Sequence, residues 1–145
     1  MSLEEFTAGV HQQIPILGAM GLEIIEASDG RAAARIPVEP NRNHFGVMYA
    51  GSLFTVAEML GGVIGFTSLA MDGFVPLVKS LEITFTRPAT SAVTASTSLS
   101  ADEIERVRSE AAANGKADYV LTCDVIDEGG TVVASTSGTY QLRRL

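Results

Sequence analysis

Cysteine, tryptophan and basic residues are scarce in this chain. Its 145 residues include one cysteine, Cys123, no tryptophan, and 10 lysines and arginines against 17 aspartates and glutamates, which gives a formal net charge of −7. A single cysteine excludes an internal disulfide and favours a cytoplasmic location. The negative charge disfavours nucleic acid and anionic membranes as partners. Cys123 lies in an apolar alternation, so we interpret it as a core residue rather than a nucleophile.

Linkers, repeats and low-complexity tracts are absent as well. The start, MSLEEF, is acidic and lacks the basic and apolar regions of a secretory signal. The uncharged run from Met59 to Met71 has 13 residues, too few to cross a bilayer. We therefore expect one compact domain over residues 1–145, with its own core and no membrane segment.

Charge is almost missing from the middle of the chain. Between Arg42 and Asp72, Glu58 is the only ionisable acid or base apart from His44 and Tyr49. A segment with so few charges is expected to be buried. An ionised carboxylate that is removed from water strongly lowers the stability of the fold unless it is paired or hydrogen-bonded. The isolation of this one carboxylate therefore indicates a functional role for it.

The same segment has the pattern of a helix with an unusually bare face. No proline interrupts residues 50–71, which predicts one long helix from Ala50 to Met71. Interior glycines each cost roughly 0.5 to 1 kcal/mol relative to alanine, so a glycine-rich stripe indicates that another backbone or a ligand comes close. The alternative is a tightly packed core helix whose one acid reaches solvent. Spacings of four, three, four and three residues place five positions on the stripe: Gly51, Thr55, Glu58, Gly62 and Gly65.

The rest of the chain alternates between short strands and two further helices. Their order predicts an α+β fold in which an antiparallel sheet wraps around the single long helix. Turn residues at 28–30 and 128–130 predict hairpins. The predicted helices are 3–12 and 102–114, and the predicted strands are 22–27, 31–38, 75–87, 91–99, 117–126 and 131–142.

The run from Asn43 to Glu58 resembles the signature of hotdog-fold thioesterases of the phenylacetate-degradation (PaaI-like) type. In that family an asparagine is followed after six residues by a His-Gly-Gly turn and after fifteen by the catalytic Asp or Glu, and Asn43, Gly51 and Glu58 fall in this register. The segment 80–89 is similar to the family's long strand with its Arg-Pro-Ala ending. Two positions depart from the pattern, since Tyr49 replaces the histidine and Ala50 the first glycine.

The resemblance implies a hotdog fold and hydrolysis of an acyl thioester, usually acyl-CoA, in a site shared between two subunits. Glu58 would act as general base or nucleophile. The N–H groups of Ala50 and Gly51, at the start of the helix, would hold the developing oxyanion. Asn43 would fix the loop or hydrogen-bond the carboxylate. Tyr49, in the place of the histidine, would donate a hydrogen bond from its hydroxyl. No cofactor is implied, because coenzyme A enters as part of the substrate.

Four further residues are expected to contact that substrate. Some relatives carry a water-orienting serine on the long strand, and Val78 occupies its place here. Ser80, two residues on and therefore expected on the same face, is a weak substitute. Arg87 and Lys79 are candidates for contacts with phosphate groups, and Phe54 on the helix is a further candidate for contact with the substrate.

Two alternative functions use the same residues. His44 and Glu58 are fourteen apart, a spacing that resembles the dyad of hotdog 3-hydroxyacyl thioester dehydratases. In that group, however, the turn glycine precedes the acid by five residues, whereas Gly51 precedes it by seven. A non-catalytic acyl-thioester binder is the other alternative. His11 and His44 are too far apart in the chain to indicate a metal site, and the bare helix face favours self-association as a dimer or a dimer of dimers.

Overall fold

Residues 1–145 are described by a computed structural model with five helices and six strands. The helices are α1 (Leu3–Gln13), α2 (Pro15–Ala19), α3 (Ala50–Glu58), α4 (Leu60–Thr67) and α5 (Ala101–Asn114). The strands are β1 (Glu23–Ser28), β2 (Arg31–Ile36), β3 (Phe74–Phe85), β4 (Val93–Ser98), β5 (Lys116–Asp127) and β6 (Val132–Arg144).

All six strands form one antiparallel sheet in the order β1-β2-β4-β5-β6-β3, so the long strand β3 lies at an edge. Helices α3 and α4 pack on one face of this sheet, hereafter the inner face. A Cβ atom at Gly65 of α4 would lie 2.4 Å from Cβ of Pro76, and one at Gly61 would lie 1.9 Å from a ring carbon of Tyr140. These two glycines allow the helix to approach the sheet closely, and the predicted α+β class is confirmed.

The single long helix predicted over residues 50–71 is instead divided at Met59 and ends at Thr67. The hydroxyl of Tyr140 donates to the backbone carbonyl of Glu58 at 3.0 Å and takes it out of the regular helical ladder. The N–H of Gly62 bonds to the Met59 carbonyl three residues back, at 3.1 Å, which tightens the chain at this point. The break therefore has a cause in the sheet, far away in sequence.

Taken together, residues 50–67 have the length and apolar character of a membrane-crossing helix, with a mean hydropathy of 1.4. The uncharged run considered in the sequence began at Met59, after Glu58. It therefore left out residues 50–58 and was too short to show this membrane-like length. In the fold, 56% of the span is buried, as is common for the core helix of a globular domain.

A bulge interrupts the pairing of β3 with β6. Val78 pairs with Tyr140 but Ser80 pairs with Thr139, so Lys79 is an extra residue in the strand. Directly paired residues project from the same face of a sheet, and Tyr140 and Thr139 project from opposite faces. Ser80 therefore lies on the face opposite to Val78, and the expectation that the two share a face was wrong.

Local signals at the helix ends agree with the sequence. Ser100 caps α5 by accepting a hydrogen bond from the N–H of Glu103, and Gly115 ends that helix with φ of 81°. The short helix α2, which begins at Pro15, is not among the predicted helices. Cys123 is buried, and burial raises the pKa of its thiol to about 11, which agrees with its interpretation as a core residue.

Candidate functional site

Glu58 is the last residue of α3, and its side chain is half-buried. Its carboxylate accepts no hydrogen bond and forms no ion pair within the subunit, although its backbone carbonyl is bonded to Tyr140. Burial raises the pKa of this carboxyl group. A desolvated carboxyl group without a partner is a common feature of general bases.

The carboxylate lies in the wall of an apolar cavity of about 710 Å³. One wall is formed by α1 and α2, the other by α3 and α4, and the first residues of β3 complete it. This volume falls in the range of small-molecule sites, roughly 300 to 1,000 Å³. Of its 21 lining residues, 13 are hydrophobic. The ionisable side chains in the wall are the carboxyl groups of Glu58 and Glu5 and the phenol of Tyr140. An acid in an apolar pocket suits an uncharged ligand with a hydrocarbon part.

The start of α3 offers two free backbone donors. The carbonyl of Tyr49 accepts hydrogen bonds from the N–H groups of Ser52 and Leu53, whereas the N–H groups of Ala50 and Gly51 have no acceptor in the subunit. The ring of Tyr49 covers Gly51 so closely that a Cβ there would lie 2.5 Å from a ring carbon. Free amides at the start of a helix, with the favourable helix dipole, suit a developing negative charge.

These donors are far from the carboxylate of the same chain. Gly51 and Glu58 are seven residues apart, which at 1.5 Å per residue is about 10 Å along the helix axis. A base and an oxyanion donor that act on one carbonyl must each lie within about 3 Å of the reacting atoms or of one bridging water. The oxyanion donors and the carboxylate of one subunit are therefore widely separated along the helix for action on the same substrate carbonyl.

Asn43 fixes the loop, the first of its two predicted roles. Its Oδ1 accepts hydrogen bonds from the N–H groups of Phe45, at 2.9 Å, and Val47, at 3.2 Å, and it makes no hydrogen bond to Glu58 within the subunit. The sequence alone did not indicate that Asn41 is the more deeply buried of the two asparagines.

Asn41 ties the loop to the start of the central helix. Its Nδ2 donates to the carbonyls of Met20 and Pro37, both at 2.8 Å, and its Oδ1 accepts from the hydroxyl of Ser52 at 3.0 Å. The register of the resemblance selects Asn43, and no pattern in the sequence marks Asn41, which lies in the same polar loop two residues earlier.

The two aromatic candidates in this loop are exposed. Tyr49 is 59% exposed and its hydroxyl has no partner in the subunit, so neither Asn43 nor Glu58 accepts from it. The ring of His44 lies 4.0 Å from that of Phe45 and does not line the cavity. Within one subunit, His44 and the carboxylate do not flank a common space.

The four predicted substrate contacts lie outside the cavity wall. Lys79 forms an ion pair with Asp118 at 2.8 Å, and Ser80 lines a separate shallow depression of about 350 Å³ on β3 and β6. Arg87 is exposed just beyond β3 and forms no ion pair, and Phe54 is 37% exposed on α3. The structure thus brings none of the four to the Glu58 of the same subunit, whereas Val78 lines the cavity with it.

Tyr140 was missed by the sequence reasoning. It lines the cavity, holds the carbonyl of Glu58, and stacks on Tyr119 with ring centroids 5.6 Å apart. Burial, and next the charge of Glu58, raise the pKa of its hydroxyl, which therefore stays protonated and can donate. A tyrosine on the last strand has no local pattern that connects it to a helix about eighty residues earlier.

Residues 3–142 match a family model described as a domain of unknown function, DUF4442. Solved structures resemble the chain over its whole length. PA5026 from Pseudomonas aeruginosa, described as a protein of unknown function and probable thioesterase, has 36% identity and a TM-score of 0.93, and the match covers 100% of this chain and 97% of that one. The thioesterase HI1161 from Haemophilus influenzae has 20% identity and a TM-score of 0.78, with coverage of 100% and 92%. No curated protein sequence matches the chain.

Proposed function

Because the chain belongs to the DUF4442 family, within the hotdog-fold thioesterase superfamily, we propose that it hydrolyses an acyl thioester to the free acid and the thiol, with coenzyme A as the thiol half. The observation that carries the proposal is the unpaired carboxylate of Glu58 in the wall of an apolar cavity. Such a site can bind the hydrocarbon part of an acyl group and leave a base beside the carbonyl.

Glu58 is the proposed base. It takes a proton from a water molecule whose oxygen attacks the thioester carbonyl, the C–S bond breaks, and the departing thiolate receives the proton. Attack by the carboxylate itself is the alternative route, and both routes need the ionised form. A raised pKa makes the carboxylate a stronger base, nearer to the working pH, and a general base contributes roughly 10² to 10⁴ in rate.

The oxyanion donors are proposed to come from a second copy of the chain. The separation of about 10 Å between Gly51 and Glu58 along one helix supports this, because it is wide for two groups that act on the same carbonyl. In this arrangement the Ala50 and Gly51 amides of one protomer act with the Glu58 of its partner. Tyr49, exposed beside those amides, is proposed to donate to the thioester carbonyl, and Arg87 to contact coenzyme A phosphates.

Thiol release from a panel of acyl-CoA substrates tests the proposal. Glu58→Gln preserves the volume of the side chain but removes the base, so we expect hydrolysis to fall roughly 10²- to 10⁴-fold. Glu23→Gln is the matched control, since Glu23 is an exposed carboxylate on β1 without an ion pair, and it is expected to keep full activity.

Two further outcomes distinguish the alternatives. His44→Ala is expected to keep thiol release within a few fold, whereas a dehydratase that uses His44 would lose hydration of an enoyl-CoA, followed at the enone absorbance. A pure binding protein would release no thiol and would still be stabilised thermally by acyl-CoA. Unchanged turnover in Glu58→Gln would refute the proposed role of the carboxylate.

A further inference from the structure

The four glycines of the central helices differ in what their missing side chains allow. A Cβ at Gly61 or Gly65 would collide with Tyr140 or Pro76, and one at Gly51 would meet the ring of Tyr49. At Gly62, by contrast, no atom lies within 4 Å of the position that a Cβ would take. Packing within the subunit explains three of these glycines and leaves Gly62, an exposed residue in the first turn of α4, without a packing reason for its missing side chain.

Gly62 lines the same cavity as Glu58, four residues further along the chain and just past the break at Met59. On the opposite wall, in α1, Gly9 also lines the cavity and also has no atom within 4 Å of its missing Cβ. The edge of the Phe6 ring meets Phe66 in a T-shaped contact with centroids 5.6 Å apart, which joins the two walls. The two glycines therefore keep open a space between walls that are otherwise in contact.

The chemistry of the wall limits what this space can hold. No lysine, arginine or histidine lines it, so an anionic group placed there would have no cationic side chain to pair with. Beside Glu58, a second carboxylate would also be repelled. An uncharged hydrocarbon chain suits the wall, and the free acid left after hydrolysis suits it less well than the thioester.

We infer that the cavity between α1–α2 and α3–α4 holds the hydrocarbon chain of an uncharged acyl group, and that Gly62 and Gly9 set the chain length it accepts. The inference rests on the proposed thioester hydrolysis for the identity of the substrate, and on the cavity for its shape. One added methylene in an apolar pocket changes discrimination by about 10- to 200-fold, so filling the cavity by a single side chain is expected to be readily measurable.

Binding of compounds that cannot be hydrolysed tests the inference directly. The probes are a homologous series of S-alkyl N-acetylcysteamine thioethers, with alkanoates of the same chain lengths, measured by calorimetry on the full chain. We expect wild-type affinity for the thioethers to rise with chain length up to a limit, and the alkanoates to bind more weakly. Gly62→Leu and Gly9→Leu should each lower that limit and weaken binding of the longest thioether about tenfold or more, while the shortest is affected least.

Two variants separate this effect from a loss of folding. Gly62→Ala adds little volume and improves helix propensity, so its unfolding midpoint should rise while it still binds the longer thioethers. Ala112→Leu, at an exposed position on α5 outside the cavity, should leave binding unchanged. The inference would be overturned if Gly62→Leu bound each thioether as tightly as wild type does. It would also be overturned if the affinity of wild type did not depend on chain length.

The proposed hydrolysis and the inference can fail separately. If the thioethers bind with this length dependence but no thioester releases thiol, the cavity assignment stands and the proposed reaction fails. If thioesters are hydrolysed but Gly62→Leu processes long and short acyl chains as wild type does, the reaction stands and the cavity assignment fails.

Discussion

The desolvation of Glu58 has opposite consequences for activity and for stability. The raised pKa of its carboxyl group means that the folded chain holds this proton at a pH where the unfolded chain has released it. The contribution of this group to stability is therefore complete below its ordinary pKa and is lost as the pH rises through the folded-state value. The proposed reaction needs the ionised form, so activity is expected to rise over the same interval.

Free energies of unfolding of Glu58→Gln and wild type at about pH 4 and about pH 8 measure how much the ionised Glu58 carboxylate destabilises the fold. At the lower pH both chains carry a neutral side chain, and their free energies of unfolding should be similar. At the higher pH the variant should be the more stable of the two, because wild type alone contains a desolvated charge. Glu23→Gln should show no such divergence, and a Glu58→Gln variant that is less stable at the higher pH would point instead to a structural role.

Residue patterns predicted the site only where the signal was local. Glu58 stood out because its neighbours carry no charge, and the free amides at Ala50 and Gly51 follow from the start of a helix. The position of Ser80 did not follow, since a bulge at Lys79 reverses the alternation and depends on pairing with a distant strand. The role of Asn41 was also missed because its partners come from three separate segments.

At the scale of elements, the division of the central helix at Met59 shows how the sheet acts on the helix. The ring of Tyr140 fits a slot that requires glycine at two positions, since a Cβ at Gly61 or Gly138 would lie 1.9 or 2.9 Å from the ring. Its hydroxyl then reaches the carbonyl of the residue that carries the proposed base. The end of α3, and with it the direction of the Glu58 side chain, is thereby set from β6.

Tyr140→Phe removes this hydroxyl and keeps the ring. We expect a loss of about 1 to 2 kcal/mol in the free energy of unfolding, because the part-buried carbonyl of Glu58 loses its partner, and about a tenfold lower kcat with little change in KM. Tyr119→Phe is the matched control: its ring stacks on Tyr140, but its hydroxyl is 3.4 Å from the Gly61 carbonyl, a weaker bond. Equal effects of the two variants on kcat would contradict a positioning role for Tyr140.

Element boundaries were predicted well where caps and turns are encoded locally. The long strands and α5 agree within a few residues, because alternation, the Ser100 cap and Gly115 are local signals. The break at Met59 was not predictable, because the sequence from 50 to 71 contains no proline and reads as one continuous helix. Its cause is a hydrogen bond between residues 82 positions apart.

At the scale of the whole molecule, the edge of the sheet formed by β3 is expected to pack against a partner. The strand β3 bonds to β6 on one side only, and beyond the bulge Leu81, Ile83 and Phe85 project from its inner face. Phe85 is 49% exposed. A long apolar edge strand left uncovered would promote uncontrolled pairing, so a second copy aligned along β3 is the arrangement we expect.

Light scattering at micromolar concentration is expected to give two or four times the chain mass of 15.3 kDa. Phe85→Lys places a charge at the edge and should shift the population toward 15.3 kDa, with a parallel loss of thioester hydrolysis if the site is shared. Val120→Lys, at an exposed position of the central strand β5, should leave the dimer intact. A stable wild-type monomer with full activity would exclude the shared site.

The buried thiol of Cys123 makes the protein well suited to assays that detect coenzyme A by its sulfhydryl group. Since the chain has one cysteine, and burial both covers it and raises its pKa to about 11, the folded protein should contribute no background colour with a disulfide reagent such as Ellman's. Denaturant should release one reactive sulfhydryl per chain. The same reagent therefore reports product formation in the native protein and the fraction of molecules that have opened, in a single cuvette.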